Sequence, residues 1–424
     1  MRAHGELRVN VGWRLRHITA APHRLAFFLA LVGLLFSSTW WALVQWDRLG
    51  WGWGLGYAMS PTLMHSTVMT FGFIPLLFAG FLFTAGPKWL GVRPPGTARL
   101  VSPLVLQSGG WMLWLLGGHL SSILALAGAM LAWVGLAWVQ LMFWRLLRSS
   151  VVADRLHATV IGVAGALGVV ALAGLVLSLL LDAQALARLW LLTALWGYVV
   201  TTYVAVAHRM LPFFTASAVP MLRIWRPTWV MGALLAAVGM EVVFVWLEWL
   251  GGNEWGSGRV WMLSRGMLEL AVGCVVVWLA LAWGMVQSMK VRLLAMLHIG
   301  FVWLGLSFVL AGLSQLLGFR SGIPLLGLGT LHALTMGFLG SVMVAMVTRV
   351  STGHSGRPLL ADNVAWAAFW GLQLAVVLRI AGALPGASGW LLAVVALLWL
   401  AALAAWGLRM LDWYGRSRAD GQAG

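Results

Sequence analysis

Residues 159–181 read TVIGVAGALGVVALAGLVLSLLL, without a charged side chain. A helix needs about 20 predominantly apolar residues to cross the hydrocarbon core of a bilayer. Backbone in lipid must satisfy its own hydrogen bonds, which leaves helices or closed barrels. Barrel strands alternate polarity over about ten residues. This run is continuous and rich in Leu, Ala and Val, so it reads as a helix. Working outward, comparable runs fall at 25–46, 62–86, 101–118, 122–144, 157–181, 187–208, 228–250, 260–286, 293–317, 323–348, 363–383 and 388–411. The expected fold is all-α, a polytopic membrane bundle of about twelve transmembrane helices. One domain, 25–411, lies between a basic N-terminal segment, 1–24, and a tail, 412–424. The composition agrees, because 62% of the 424 residues are hydrophobic and 9% charged, against about 25% charged in a soluble domain.

The formal charge of +16 would suggest nucleic acid in a soluble protein. Here Lys and Arg crowd short loops instead, and no nucleic-acid partner is expected. With the N-terminus inside, 21 of the 27 basic residues fall on the cytoplasmic side, as the positive-inside rule favours. Both termini are therefore expected in the cytoplasm. An odd number of spans would scramble that alternation. The single cysteine, Cys274, excludes an internal disulfide and a thiol-ligated cluster. No cleavable signal peptide is expected in the first 24 residues. Gly is abundant at 51 residues, which suits close helix approach. The 29 Trp residues exceed the needs of two interfacial belts, so some are expected inside the bundle.

An ionisable residue inside a span is costly, and it marks a functional candidate by default. His65 opens span two. On the boundaries above, His332 lies roughly nine residues into span ten from the same face, about 13 Å deep. A haem is about as wide as that difference in depth and can be held between two imidazoles. The alternative is a pair of buried histidines bonded to carbonyls, Ser66 or Thr335. His298 lies in span nine near the cytoplasmic side. His208 closes span six, and His354 follows span ten in a Gly-rich loop. A second metal or propionate site there competes with an interfacial or solvated role. His4, His17, His23 and His157 read as near-surface. Arg265 and Glu269, four apart, share a helix face and can neutralise each other. Glu241 has no partner close in sequence. Met64 and Met69 beside His65 read as packing or as soft copper ligands. No hydrolytic triad, phosphate loop or dinucleotide fingerprint occurs.

Four stretches resemble the NnrS family, bacterial membrane proteins associated with the response to nitric oxide. They are Ala21-Pro-His-Arg24; Pro61-Thr-Leu-Met-His65-Ser-Thr-Val-Met69, running on to Pro87-Lys-Trp89; Leu293-Leu-Ala-Met-Leu-His298; and Leu331-His332-Ala-Leu-Thr335, running on to Thr348-Arg349 and Gly353-His354-Ser-Gly-Arg357-Pro358. A fainter match is His208-Arg209-Met-Leu-Pro212. The family is regarded as twelve-span and haem- and copper-containing. The resemblance therefore implies a haem, b-type by expectation, held by His65 and His332, with His298 as a further candidate. It implies Arg349 and Arg357 as partners of propionates or anions, and His354 and His208 as further metal candidates. It also implies nitric oxide as substrate or signal, a respiratory electron donor, and the bacterial inner membrane as location. The resemblance implies copper as well, although many family members carry His-x-His-Glu in span two, where this chain has Thr67 and Val68. The span-two and span-ten histidines also resemble those holding low-spin haem in haem-copper oxidase catalytic subunits. No adjacent His-His pair and no His-x-His in span ten accompany them, and oxygen reduction is not expected. Two other classes stay open: a proton-coupled transporter without cofactor, and a non-catalytic assembly partner of respiratory enzymes.

Overall fold

The computed structural model describes residues 12–52, 54–219, 223–256 and 258–421. Arg2, His4 and Arg8 of the N-terminal segment lie outside the described residues, as do residues 422–424 of the tail. Among the described residues, twelve helices are long and apolar enough to cross a membrane: α1 (Pro22–Gly50), α2 (Pro61–Leu90), α3 (Ala98–Leu120), α4 (Ser122–Ser149), α5 (Leu156–Leu180), α6 (Gln184–Ala218), α7 (Thr228–Gly252), α8 (Arg259–Ala282), α9 (Arg292–Gly318), α10 (Gly329–His354), α11 (Asn363–Ala381) and α12 (Trp390–Tyr414). Among the described residues there is no strand. The even number brings both chain ends to one face, called the terminal face below. There the backbone N–H of Arg14 donates to the Gly415 carbonyl at 2.8 Å, and Arg24 donates to the Arg416 carbonyl at 2.8 Å.

Hydrophobicity carries each run into a helix, but packing sorts its faces. On α5 the exposed residues Val163, Val170 and Leu177 recur every seven positions, an apolar stripe with only lipid to meet. Small residues bring neighbouring helices together. A Cβ on Gly128 of α4 would stand 2.6 Å from the Gly110 carbonyl of α3, and one on Gly273 of α8 would stand 2.6 Å from the Val309 amide of α9. At such contacts only glycine lets the backbones meet.

Tryptophans do enter the bundle. Trp111, Trp114 and Trp406 are fully enclosed. The indole N–H of Trp303 on α9 donates to Gln373 of α11 at 2.7 Å, and Gln373 donates in turn to Ser341 of α10 at 2.8 Å. Trp406 of α12 donates to Thr348 of α10 at 2.9 Å. With water excluded, these bonds satisfy groups that would otherwise be buried unpaired.

Two spans, the sixth and the tenth, differ most from those read in the sequence. The tenth helix was expected over 323–348 and runs over Gly329–His354. The apolar stretch before it is a turn, with Pro324 in it and Gly322 and Gly327 at positive φ. The Leu326 amide is bonded there to Ser314. Proline and left-handed glycines stop a helix whatever the hydropathy. The sixth helix continues to Ala218, so His208 lies inside it and does not close it. Pro212 is accommodated within the helix, as membrane helices allow when neighbours take up the freed carbonyl.

Candidate functional site

Pro61 sits in the first turn of α2, where its missing N–H costs nothing, and one turn later the helix carries His65. The His65 ring stacks on Trp41 of α1, centroids 3.8 Å apart and planes 14° from parallel. Arg48 lies over the same indole at 5.2 Å and donates to Thr62 at 3.2 Å. His65 Nδ1 is buried without a partner.

His332 is the fourth residue of α10 and His65 the fifth of α2. Both helices start at the face opposite the chain ends, so the two histidines share one depth. The difference expected from the sequence disappears with the later start of α10. His332 Nδ1 lies 2.8 Å from the Leu328 carbonyl, a bond that only an N–H can make, so Nε2 keeps its lone pair. Arg48, through Trp41, is the cation in printed contact with the His65 side, and Arg379 lies near the end of α11 at the same face of the bundle. Ser66 and Thr335 donate instead to carbonyls of their own helices. Neither histidine is tied down by a hydroxyl. Directly after His332, residues Ala333–Gly340 form a wide π-helical stretch; such departures from regular helix recur at functional sites. Met64 is enclosed against Gly118, as a packing residue is.

The other candidates lie toward the terminal face. His354 ends α10 rather than following it in a loop, and its ring packs on His23 of α1 with centroids 4.6 Å apart. His354 Nδ1 meets the Val350 carbonyl at 3.0 Å, while His23 Nδ1 is buried without a partner. His208 Nε2 faces the Pro227 carbonyl at 3.2 Å. Its Nδ1 is therefore the acceptor for His157 Nε2, 2.9 Å away. His298 Nε2 pairs with Thr215 of α6 at 2.9 Å. Arg349 lies over Phe214 at 3.7 Å and Arg357 over Trp413 at 4.4 Å. Burial pushes the Arg357 guanidinium below its usual range. Both arginines are a helix length away from His332: 17 residues along α10 correspond to about 25 Å. Arg48, over the indole on which His65 stacks, and Arg379, near the end of α11, are cations at the His65–His332 end of the bundle.

Sequence reading placed His23 and His157 near the surface, yet both are 5% exposed and each pairs with another histidine. The family-like Ala21-Pro-His-Arg24 stretch was the one signal for His23; no local pattern marks His157. Between the two ends of α10 lies an apolar cavity of about 60 Å³, walled by Phe27, Phe78, Tyr203 and Met346 of four helices.

A separate polar cluster joins α7 and α8. Arg265 meets Glu269 at 2.7 Å and Glu241 at 3.1 Å, and it also pairs with Glu248. The four-residue spacing foreshadowed Glu269. The partners on α7 depend on how the two helices are rotated against each other.

The family model described as NnrS protein matches residues 17–418. No curated protein and no solved structure matches the chain. The matched region includes every histidine just described and leaves out only the chain ends, so the chain belongs to the NnrS family.

Proposed function

We propose that this chain is a haem-binding protein of the bacterial inner membrane, acting in the response to nitric oxide, with a b-type haem held by His65 and His332. The terminal face, rich in arginine, is cytoplasmic in this reading. One observation carries it: two imidazoles on α2 and α10 at one depth, each with a nitrogen that no protein group takes. The donor set fits the group. A ligating histidine ordinarily gives its other N–H to a carbonyl or carboxylate, as His332 does to Leu328. Trp41 fixes the plane of His65 by stacking on it. Arg48 and Arg379 supply charge on the same side for carboxylate substituents.

A haem held by His65 and His332 would supply electron transfer or the binding of a small ligand such as nitric oxide. The chain's own work is to orient the two imidazoles, keep them neutral and exclude water from the space between them. A respiratory donor would be the source of electrons. For copper, no group of three or more His, Cys, Asp or Glu that could hold a metal occurs among the described residues. The pairs His23–His354 and His157–His208 are the sites it would have to use.

The test is the visible spectrum of detergent-purified protein from haem-replete cells, oxidised and dithionite-reduced, with and without nitric oxide. A Soret band should be present in the wild type and lost in both His65→Ala and His332→Ala. A colourless wild type overturns the haem reading. A band that survives both substitutions moves the haem to other residues. The second reading, a proton-coupled transporter without cofactor, is favoured by the buried cluster around Arg265.

A further inference from the structure

Three carboxylates surround one guanidinium in the membrane between α7 and α8. Glu241 is 3% exposed and Glu269 is fully buried. Glu241 lies eleven residues from the Gly252 end of α7, and Glu269 lies ten residues into α8. Each is thus about 15 Å below the face opposite the chain ends, close to mid-bilayer. Glu248, one turn from that same end of α7, keeps 29% of its side chain exposed and accepts from the Trp261 indole at 2.9 Å.

The charges do not balance with every group ionised. Arg265 carries one positive charge against three negative ones, and its ring contact with Phe244 at 5.3 Å adds no counter-charge. The charged groups that bear on Glu241 are Arg265, Glu269 and Glu248. From α9 the neighbour is a neutral amide, Gln315, which packs at Gly266. An uncompensated charge at this depth is far costlier than a neutral acid.

The hydrogen bonds are incomplete in a matching way. Arg265 takes Oε2 of Glu241 and Oε1 of Glu269, leaving Glu241 Oε1 and Glu269 Oε2 buried with no donor. Both carboxyl groups meet the one Arg265 guanidinium, at 3.1 Å and 2.7 Å, which gathers them at a single point between α7 and α8. Two ionised carboxylates are acceptors only. One proton shared between them supplies the missing donor and removes one negative charge.

We infer that Glu241 and Glu269 form a proton-binding site near mid-bilayer, loaded from the face opposite the chain ends through Glu248. One proton enters, an O–H bond forms on Glu241 and donates to Glu269, and Arg265 holds Glu269 ionised through the shorter of their two contacts. The remaining negative charge sits on Glu248, where solvent reaches it. The site gives the bundle a proton acceptor on helices other than those carrying His65 and His332, and its test reads no haem.

Infrared spectroscopy of the reconstituted protein decides the matter through the C=O stretch of a neutral carboxylic acid, identified by its shift in heavy water. The band should be present in the wild type at neutral pH and lost in Glu241→Gln or Glu269→Gln, both near-isosteric and checked for folding by size-exclusion chromatography. Glu248→Gln should keep the band and slow its exchange with heavy water. Absence of the band in the wild type, or its persistence in both pair variants, overturns the site. Unchanged exchange in Glu248→Gln overturns the route.

Discussion

At Asp362 one side chain does two jobs. Its carboxylate accepts from the Ala365 N–H at 3.0 Å, capping α11, and it pairs with Arg409 of α12. Burial alone would raise its pKa, but these donors outweigh that and hold it below the usual carboxylate range. A depressed pKa stabilises the fold above the unfolded value of about 3.9 and loses that contribution as pH falls through the folded value. Detergent melting curves should therefore show acid sensitivity below about pH 4 that weakens in Asp362→Asn. Asparagine keeps the cap, whereas Asp362→Ala should cost about 0.5–2 kcal/mol at neutral pH. The His157–His208 bond makes a different prediction. Removing either ring leaves the other buried with an unmet nitrogen, so His157→Ala and His208→Ala should each cost about 1–3 kcal/mol by the same assay.

Among elements, the glycine seams decide which helices touch. Gly110 faces Gly128 between α3 and α4, and Gly266 faces Gly312 between α8 and α9, with carbonyls where a side chain would have to go. Gly128→Leu or Gly273→Leu should destabilise by about 1–3 kcal/mol or more, because overpacking forces the backbones apart. Gly239 of α7 has nothing within 4 Å of its Cβ position, and Gly239→Leu should leave the melting temperature nearly unchanged. The α8–α9 seam also places Arg265 against α7, so Gly273→Leu should weaken the infrared band along with the fold.

Across the whole molecule, α10 is the common member. It carries His332 at one end, lines the cavity with Met343 and Met346, and ends on His354 beside His23. It also holds the tail, since the Ala419 amide donates to the Ser355 carbonyl at 2.8 Å. Because Arg14 and Gly415 meet at this face, reporters fused to either terminus should give the same sidedness. In the proposed reading that side is the cytoplasm, and opposite readings at the two ends would break the twelve-span topology.

Much of this architecture was legible in the residue string. Uninterrupted apolar length sets which segments span. Hydropathy is a local sum and needs no neighbour. The Arg265–Glu269 pair was legible for the same reason, since helical periodicity alone joins positions four apart. The start of α10 was not, because the run Ile323–Leu328 is apolar and yet turns on Pro324 and Gly327. The pairing of His23 with His354, of His157 with His208, and of Arg265 with Glu241 and Glu248 was decided by the tertiary structure. Which side chains meet across helices depends on axial register and rotation, and those follow from packing among many helices at once.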